Sequence, residues 1–287
     1  MNICFIGGGN MASAMMGGLV KQGVSPQQLR VVEIDDANRK RLESQGFAVF
    51  AKQDMEAILG CDVIVLAVKP QQMKEVAEQL GSRLSAGQIV LSIAAGIRLM
   101  DLARWLGQQN TRSLGYQNTG VALVRAMPNT PALIGSGITG LYSFPPLTDG
   151  QQERVEAVIK AAGAYIWIRS EEDMDAVTAV SGSGPAYFFY FIEALEQAGK
   201  ELGLPEQTAR MLAVETALGA ARLAHESAES PSTLRERVTS RNGTTERALL
   251  SMEANHVKQH IITAARAAAA RSKEMGDELG GESGSNR

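Results

Sequence analysis

The feature that most constrains the fold of this chain is a change of pattern near Ser170. Before it, short runs of β-branched and aliphatic residues alternate with helical patterns; after it, strand signals vanish and alanine-rich helical stretches follow one another. Such alternation implies a parallel sheet with helices on both faces, because parallel strands need crossover connections and helices supply them. Strands are expected at 3–6, 30–34, 63–68, 89–93, 122–126, 138–141 and 165–168. The helical remainder is punctuated at Gly182-Ser183-Gly184-Pro185, at Gly203-Leu204-Pro205, at Ser230-Pro231 and at Thr244-Thr245. The expected class is α/β, a doubly wound domain over 1–170 and an all-α domain over 171–275. The glycine- and serine-rich stretch 276–287 is expected to be a disordered tail.

Composition narrows the function classes. With 45% hydrophobic and 21% charged residues over 287 positions, both domains can bury cores of their own. A net charge of −3 gives no basic footprint for nucleic acid, and none is expected as a partner. No charged leader precedes the first strand and no run of about 18 apolar residues occurs, so neither export nor a membrane span is expected. Cys4 and Cys61 lack metal or redox spacing and read as buried thiols in a reducing cytoplasm. His256 and His260 stand one helical turn apart, but position 257 is valine and no third ligand accompanies them, so no metal is expected.

The first strand runs into Gly7-Gly8-Gly9-Asn10-Met11-Ala12 and then a helix. The first and third glycines and the alanine fit G-x-G-x-x-[GA], each for a physical reason. Gly7 allows a tight turn, Gly9 lets the backbone approach a pyrophosphate, and Ala12 keeps the helix close to the sheet. This strand–turn–helix context favours a Rossmann-type dinucleotide site over a bare β-α turn, with Ile6, Gly7, Gly8, Gly9, Asn10, Met11 and Ala12 as its residues. The second strand ends in Glu33-Ile34-Asp35-Asp36, where acids bond ribose hydroxyls and repel a 2′-phosphate. Glu33 and Asp35 therefore favour NADH within a general NADPH-or-NADH expectation. Arg39, Lys40 and Arg41 in the next helix read as a solvated face rather than a phosphate clamp.

Further strand ends supply the rest of the expected cofactor edge. Ala67-Val68-Lys69-Pro70 closes an apolar strand, and Lys69 either faces the cofactor or merely terminates that strand. Ala94-Ala95-Gly96 ends the next strand with residues small enough for a flat ring to lie close. Met127-Pro128-Asn129-Thr130-Pro131 holds Asn129 in a stiff loop at the same edge, although ordinary turn chemistry also explains it.

In the helical half, Ser240-Arg241-Asn242-Gly243-Thr244-Thr245 opens onto a helix, offering an anion backbone N–H groups, hydroxyls and a positive dipole end. From the residues alone, a plain helix N-cap is the preferred reading of Thr244-Thr245. Tyr187-Phe188-Phe189-Tyr190-Phe191-Ile192 is apolar on all sides of one helix, and such a helix must be buried on all sides. A second subunit is the expected cover, giving at least a dimer.

GGGNMASA, AVKPQ, AAG, MPNTP, SGSGPAY and VTSRNGTT occur in an order and spacing that resembles pyrroline-5-carboxylate reductase over nearly the whole chain. The resemblance implies reduction of 1-pyrroline-5-carboxylate to L-proline by NAD(P)H, the last step of proline biosynthesis. It places the dinucleotide across Gly7 to Ala12 and against the 67–70 and 94–96 edges. It places the substrate carboxylate in the loop of Ser240, Asn242, Gly243, Thr244 and Thr245, with the Thr245 hydroxyl at the ring nitrogen and Thr245 and Lys69 as the catalytic candidates.

Three positions depart from the family pattern. Arg241-Asn242 replaces Pro-Gly in the substrate loop, Asp54 stands where many members have asparagine, and 108–120 is longer than the usual connection. Asn242 is expected to take the left-handed conformation a glycine would have supplied. Two other classes compete. A β-hydroxyacid-type dehydrogenase needs a lysine in the first long helix of the second domain, and 184–199 has none. A non-catalytic nicotinamide-binding redox sensor would require only the first domain.

Overall fold

The structure, a computed structural model, describes residues 1–51, 55–110, 115–116 and 120–281. Its strands are Ile3–Ile6 (β1), Leu29–Val32 (β2), Ala48–Phe50 (β3), Val63–Leu66 (β4), Ile89–Ser92 (β5), Gln109–Asn110 (β6), Gly115–Tyr116 (β7), Ala122–Met127 (β8), Gly137–Ser143 (β9) and Gly163–Trp167 (β10). The helices are Asn10–Lys21 (α1), Asp36–Ser44 (α2), Met73–Gly81 (α3), Leu99–Trp105 (α4), Asp149–Lys160 (α5), Asp173–Val177 (α6), Gly184–Glu201 (α7), Glu206–Glu226 (α8), Pro231–Arg237 (α9), Thr244–Ala254 (α10) and Val257–Gly280 (α11).

Eight strands form one sheet in the order β10-β9-β8-β5-β4-β1-β2-β3. Alternation along β1 explains its two-sided burial. Ile3 and Phe5 enter one core with Met15, Met16 and Leu19 of α1 and with Val155, Val158 and Ile159 of α5. Cys4 and Ile6 enter the other with Met73, Ala77 and Leu80 of α3 and with Leu99 and Leu102 of α4. The fold is a doubly wound, Rossmann-type α/β domain joined to helices, as the alternation predicts.

Three details differ from the sequence expectation. The pair β8–β9 is antiparallel, because the connection between them holds only the 3-10 turn Thr130–Ile134, too short for a crossover. Strand β3 lies at the sheet edge and is too brief to give a clear alternation signal. Part of the 108–120 stretch forms an antiparallel ribbon of β6 and β7.

The chain divides into two compact units, one of Met1–Gly182 together with the chain from Ala268 onward, the other of Ser183–Ala267. Compactness thus ends the first unit later than the expected boundary near Ser170, because α6 lies against β9, where Val177 fills the space at Gly140. The expected disordered tail is corrected for 276–280, which continue α11. Gly276 and Gly280 act there as contact points rather than spacers: a Cβ at Gly276 would meet the Arg98 guanidinium at 3.1 Å, and one at Gly280 would strike the Asp101 carboxylate. Residues 282–287 of that expectation, and Asp54, lie outside the described residues.

The second unit is a helical hairpin of α7 and α8 followed by α9, α10 and the first part of α11. Gly199 lets the hairpin close, since a Cβ there would lie 2.9 Å from Ala209 Cβ. Phe188, Phe189 and Tyr190 remain 67%, 65% and 75% exposed within the single chain. Among the described residues, no helix is long and apolar enough to cross a membrane.

Candidate active site

The first part of the site lies at the carboxyl ends of β1, β2 and β4, where the strand order reverses around β1. Open sheets of this kind take ligands at that reversal. Gly7 N–H donates to Val32 O at 2.8 Å and Ala67 N–H to Ile6 O at 2.8 Å, which fixes the glycine turn between its neighbours. Gly7 has φ +98°, and a Cβ there would lie 2.8 Å from Ala67 O, so only glycine fits. A Cβ at Gly9 would meet no neighbouring group within 4 Å, and Gly9 is the N-cap of α1 without a side-chain cap. The N–H groups of the first turn, at Asn10 and Met11, therefore face an open cradle suited to a pyrophosphate, while Ala12 is buried against the sheet.

A cleft of about 340 Å³ opens beside this turn. It gathers the expected Ile6, Gly7, Gly8, Gly9, Glu33, Asp35, Ala67, Val68 and Lys69. It adds Val32, Ile34, Gln72, Glu75, Val76 and Gln79, which the sequence reading missed. The helical spacing of Gln72, Glu75, Val76 and Gln79 was the available signal, since it puts them on one face of α3 and its N-cap. Pro70 begins the 3-10 turn Pro70–Gln72 just behind Lys69.

The acidic end of β2 is organised rather than free. Glu33 is 9% exposed; its Oε2 accepts from Gly8 N–H at 3.0 Å and from Asn38 Nδ2 at 2.7 Å, and its Oε1 accepts from Asp35 N–H at 3.0 Å. Asp35 caps α2 by accepting from Asn38 N–H at 2.8 Å. Arg39 pairs with Asp36 and donates to Glu33 O at 3.2 Å and to Ile34 O at 3.0 Å. Arg41 donates to Ser13 Oγ at 2.9 Å and to Asn38 Oδ1 at 2.6 Å. Both arginines serve local structure, and each guanidinium lies beside the turn that frames the cleft.

Ala94, Ala95 and Gly96 stand at the carboxyl end of β5, next to β4, outside the lining of this cleft. Asn129 is buried at the end of β8: its Nδ2 donates to Ser181 O at 3.1 Å and its Oδ1 accepts from Ile138 N–H at 2.9 Å. Both ends of its amide are engaged within the first unit.

In the second unit, Gly243 is the N-cap of α10 with no side-chain cap, and Thr244 and Thr245 form its first turn. Asn242 has φ 59°, the left-handed conformation expected for it, and Gly243 N–H returns to Ser240 O at 3.0 Å. Thr244 is exposed and Thr245 half-buried. Glu246 Oε2 accepts from Asn242 N–H at 2.7 Å, clamping the loop without covering the N–H groups of the first helical turn. Neither threonine hydroxyl caps the helix, so the plain-cap reading loses its basis.

Comparison with known proteins gives a consistent result. A family model described as "Pyrroline-5-carboxylate reductase dimerisation" matches residues 171–275. One described as "NADP oxidoreductase coenzyme F420-dependent" matches residues 2–96. A pyrroline-5-carboxylate reductase of Pseudomonas aeruginosa is 43% identical over 97% of this chain and 98% of its own length. One of Arabidopsis thaliana is 36% identical over 94% of each. Among solved structures, a pyrroline-5-carboxylate reductase of Coxiella burnetii superposes with a TM-score of 0.87 at 38% identity, covering 96% of this chain and 98% of the other. A Plasmodium falciparum pyrroline carboxylate reductase with NADP bound superposes with a TM-score of 0.81 at 28% identity, covering 96% and 98%.

Proposed function

The chain belongs to the pyrroline-5-carboxylate reductase family, and from that premise we propose how its own residues divide the reduction of 1-pyrroline-5-carboxylate to L-proline, the last step of proline biosynthesis. The enzyme uses a nicotinamide cofactor, which when bound supplies the hydride. The cradle fits such a group: bare backbone at Gly9, uncapped N–H groups on α1 and an open cleft beside them suit a pyrophosphate.

Hydride addition to a protonated cyclic imine needs no protein nucleophile and no metal. The hydride forms a C–H bond at the imine carbon, and the C=N π pair moves onto nitrogen. The protein's task is to hold two rings in register and to exclude competing geometry. In our reading the substrate carboxylate rests on the loop Ser240, Asn242, Gly243, Thr244 and Thr245, supported by the uncapped N-terminus of α10. Thr245 Oγ meets the ring nitrogen, and Lys69, at the rim of the cleft, brings a positive charge to the cofactor. The Ala94–Gly96 edge and the loop that Asn129 holds in place complete the nicotinamide side.

The single observation that carries this assignment is the uncapped first turn of α10. Two hydroxyls and free N–H groups stand where Asn242, in a left-handed conformation, turns the chain.

For the cofactor, we infer that NADH is used at least as well as NADPH. Glu33 and Asp35 line the cleft, while Arg39 is drawn to Asp36 and two carbonyl oxygens. The protein self-associates through its helical part, which matches the dimerisation model, and we take the unit to be a dimer or a larger assembly of dimers. We place it in the cytoplasm, in keeping with two unbridged buried thiols. Oxidation of NADH on adding pyrroline-5-carboxylate tests the reading directly. Cofactor binding without turnover would instead favour a redox sensor.

A further inference from the structure

The segment between β5 and α4 carries Ala94, Ala95 and Gly96, and one carboxylate remote in sequence bonds both to the start of α4 and to the strand beside β5. Glu171 Oε1 accepts from the backbone N–H of Leu99, the first residue of α4, at 2.8 Å. The same oxygen accepts from Arg125 Nη1 at 2.9 Å. Arg125 is 5% exposed and sits on β8 directly beside Ser92, the last residue of β5. Glu171 therefore links the start of α4 to β8, the strand that pairs with β5 just before the segment. It satisfies an N–H at the start of α4, where the N-cap residue Arg98 supplies no side-chain cap.

The opposite flank is held by α11. Arg98 Nη2 donates to Asp277 Oδ1 at 2.6 Å and Arg104 Nη2 to Gly280 O at 2.6 Å, while Ser272 Oγ donates to Asp175 Oδ1 at 2.6 Å. Gly96 has φ +76°, and a Cβ there would lie 3.2 Å from Leu279 Cδ1. These contacts hold Arg98, Arg104 and Gly96 against α11, while the bond that fixes the start of α4 from the other side comes from Glu171.

We propose that Glu171 is a positioning residue of the reductase: through Leu99 N–H and Arg125 it fixes the Ala94–Gly96 edge against which the nicotinamide half of the cofactor lies. It touches neither substrate nor cofactor. The proposal rests on the assignment of Ala94–Gly96 to the cofactor edge, made above. Because the glycine turn and cleft hold the adenosine half separately, a displaced edge impairs hydride-transfer geometry while leaving most of the cofactor's binding intact.

The test compares kcat, the KM for pyrroline-5-carboxylate, NADH affinity by fluorescence, and Tm. For Glu171→Ala, which removes the acceptor of Leu99 N–H, kcat falls by about tenfold or more, and NADH affinity stays within about twofold. Because that variant leaves Arg125 buried without a charged partner, the double variant Glu171→Leu with Arg125→Met is measured beside it. It removes both charges, fills the space and recovers Tm, yet kcat stays low because Leu99 N–H still lacks its acceptor. Wild-type kcat in the double variant, or a fall in Tm alone in Glu171→Ala, overturns the proposal. Ala95→Leu separates the premise from the inference. It lowers kcat or NADH affinity if the edge is where we place it, and wild-type behaviour of Ala95→Leu removes the edge assignment and the positioning role with it.

Discussion

Glu33 accepts a 3.0 Å hydrogen bond from the backbone N–H of Gly8, so the end of β2 and the glycine turn after β1 are one electrostatic unit. A carboxylate so placed is held in the cleft by three N–H donors, including Asn38 Nδ2 and Asp35 N–H. It cannot swing away to admit a second anion at little cost.

The first prediction follows from that bond. A fixed carboxylate within several Å of a 2′-phosphate costs on the order of 1–4 kcal/mol at effective dielectrics between water and protein interior. Wild-type kcat/KM with NADH should equal or exceed that with NADPH, and Glu33→Gln should raise the NADPH value by about tenfold. Steady-state kinetics with both cofactors checks this. A strong wild-type preference for NADPH would show that Arg39 or Arg41 reaches the phosphate, and Arg39→Ala would then locate the contact.

The second prediction concerns assembly. Phe188 and Phe189 are 67% and 65% exposed in the single chain, in the stretch of α7 that is apolar on every side. Burying an aromatic side chain of this size is worth about 1.5–3 kcal/mol, which isolated exposure forfeits. Light scattering should return at least twice the 30.6 kDa chain mass at micromolar concentration. Phe189→Glu should shift the population toward monomer and lower Tm. A monomeric wild-type protein would refute the account of this helix.

The third prediction concerns acid stability. Glu156 on α5 accepts from Tyr165 Oη at 2.6 Å, from Gln152 Nε2 at 2.8 Å and from Trp167 Nε1 at 3.0 Å. The Tyr165 bond leads, the Gln152 and Trp167 bonds and the Lys160 charge add to it, and together they hold the carboxyl down to about 2. A group whose folded pKa is depressed stabilises the fold above its unfolded pKa of about 4.3 and loses that contribution as pH falls through its folded value. Tm should therefore drop between about pH 5 and pH 2, and Glu156→Gln should start lower at neutral pH and show a shallower drop. Parallel profiles for the two proteins would contradict the role of this cluster.

Much of this was legible in the sequence because the dominant signals are local. Short β-branched and aliphatic runs located seven of the strands, and Gly7 to Ala12 marked the tight turn after the first strand, where only glycine fits at Gly7. What stayed hidden depends on tertiary geometry. The antiparallel β8–β9 pair follows from a short connection whose strands read alike in either direction. The helical state of 276–280 was masked by glycines that look flexible in sequence and serve close packing against Arg98 and Asp101. The roles of Glu171 and Arg125 join residues far apart in the chain, and no spacing rule reports such a pair.

The most direct test of the substrate assignment is Thr245→Val, which keeps the shape of the side chain and deletes its hydroxyl. If Thr245 Oγ meets the imine nitrogen, loss of that contact costs on the order of 1–3 kcal/mol in the transition state, so kcat/KM should fall about ten- to a hundred-fold. NADH affinity should barely change, and Tm should stay near wild type because the hydroxyl caps nothing in the structure. Wild-type turnover with a lowered Tm would contradict the account, removing Thr245 from the active site and the substrate from this loop.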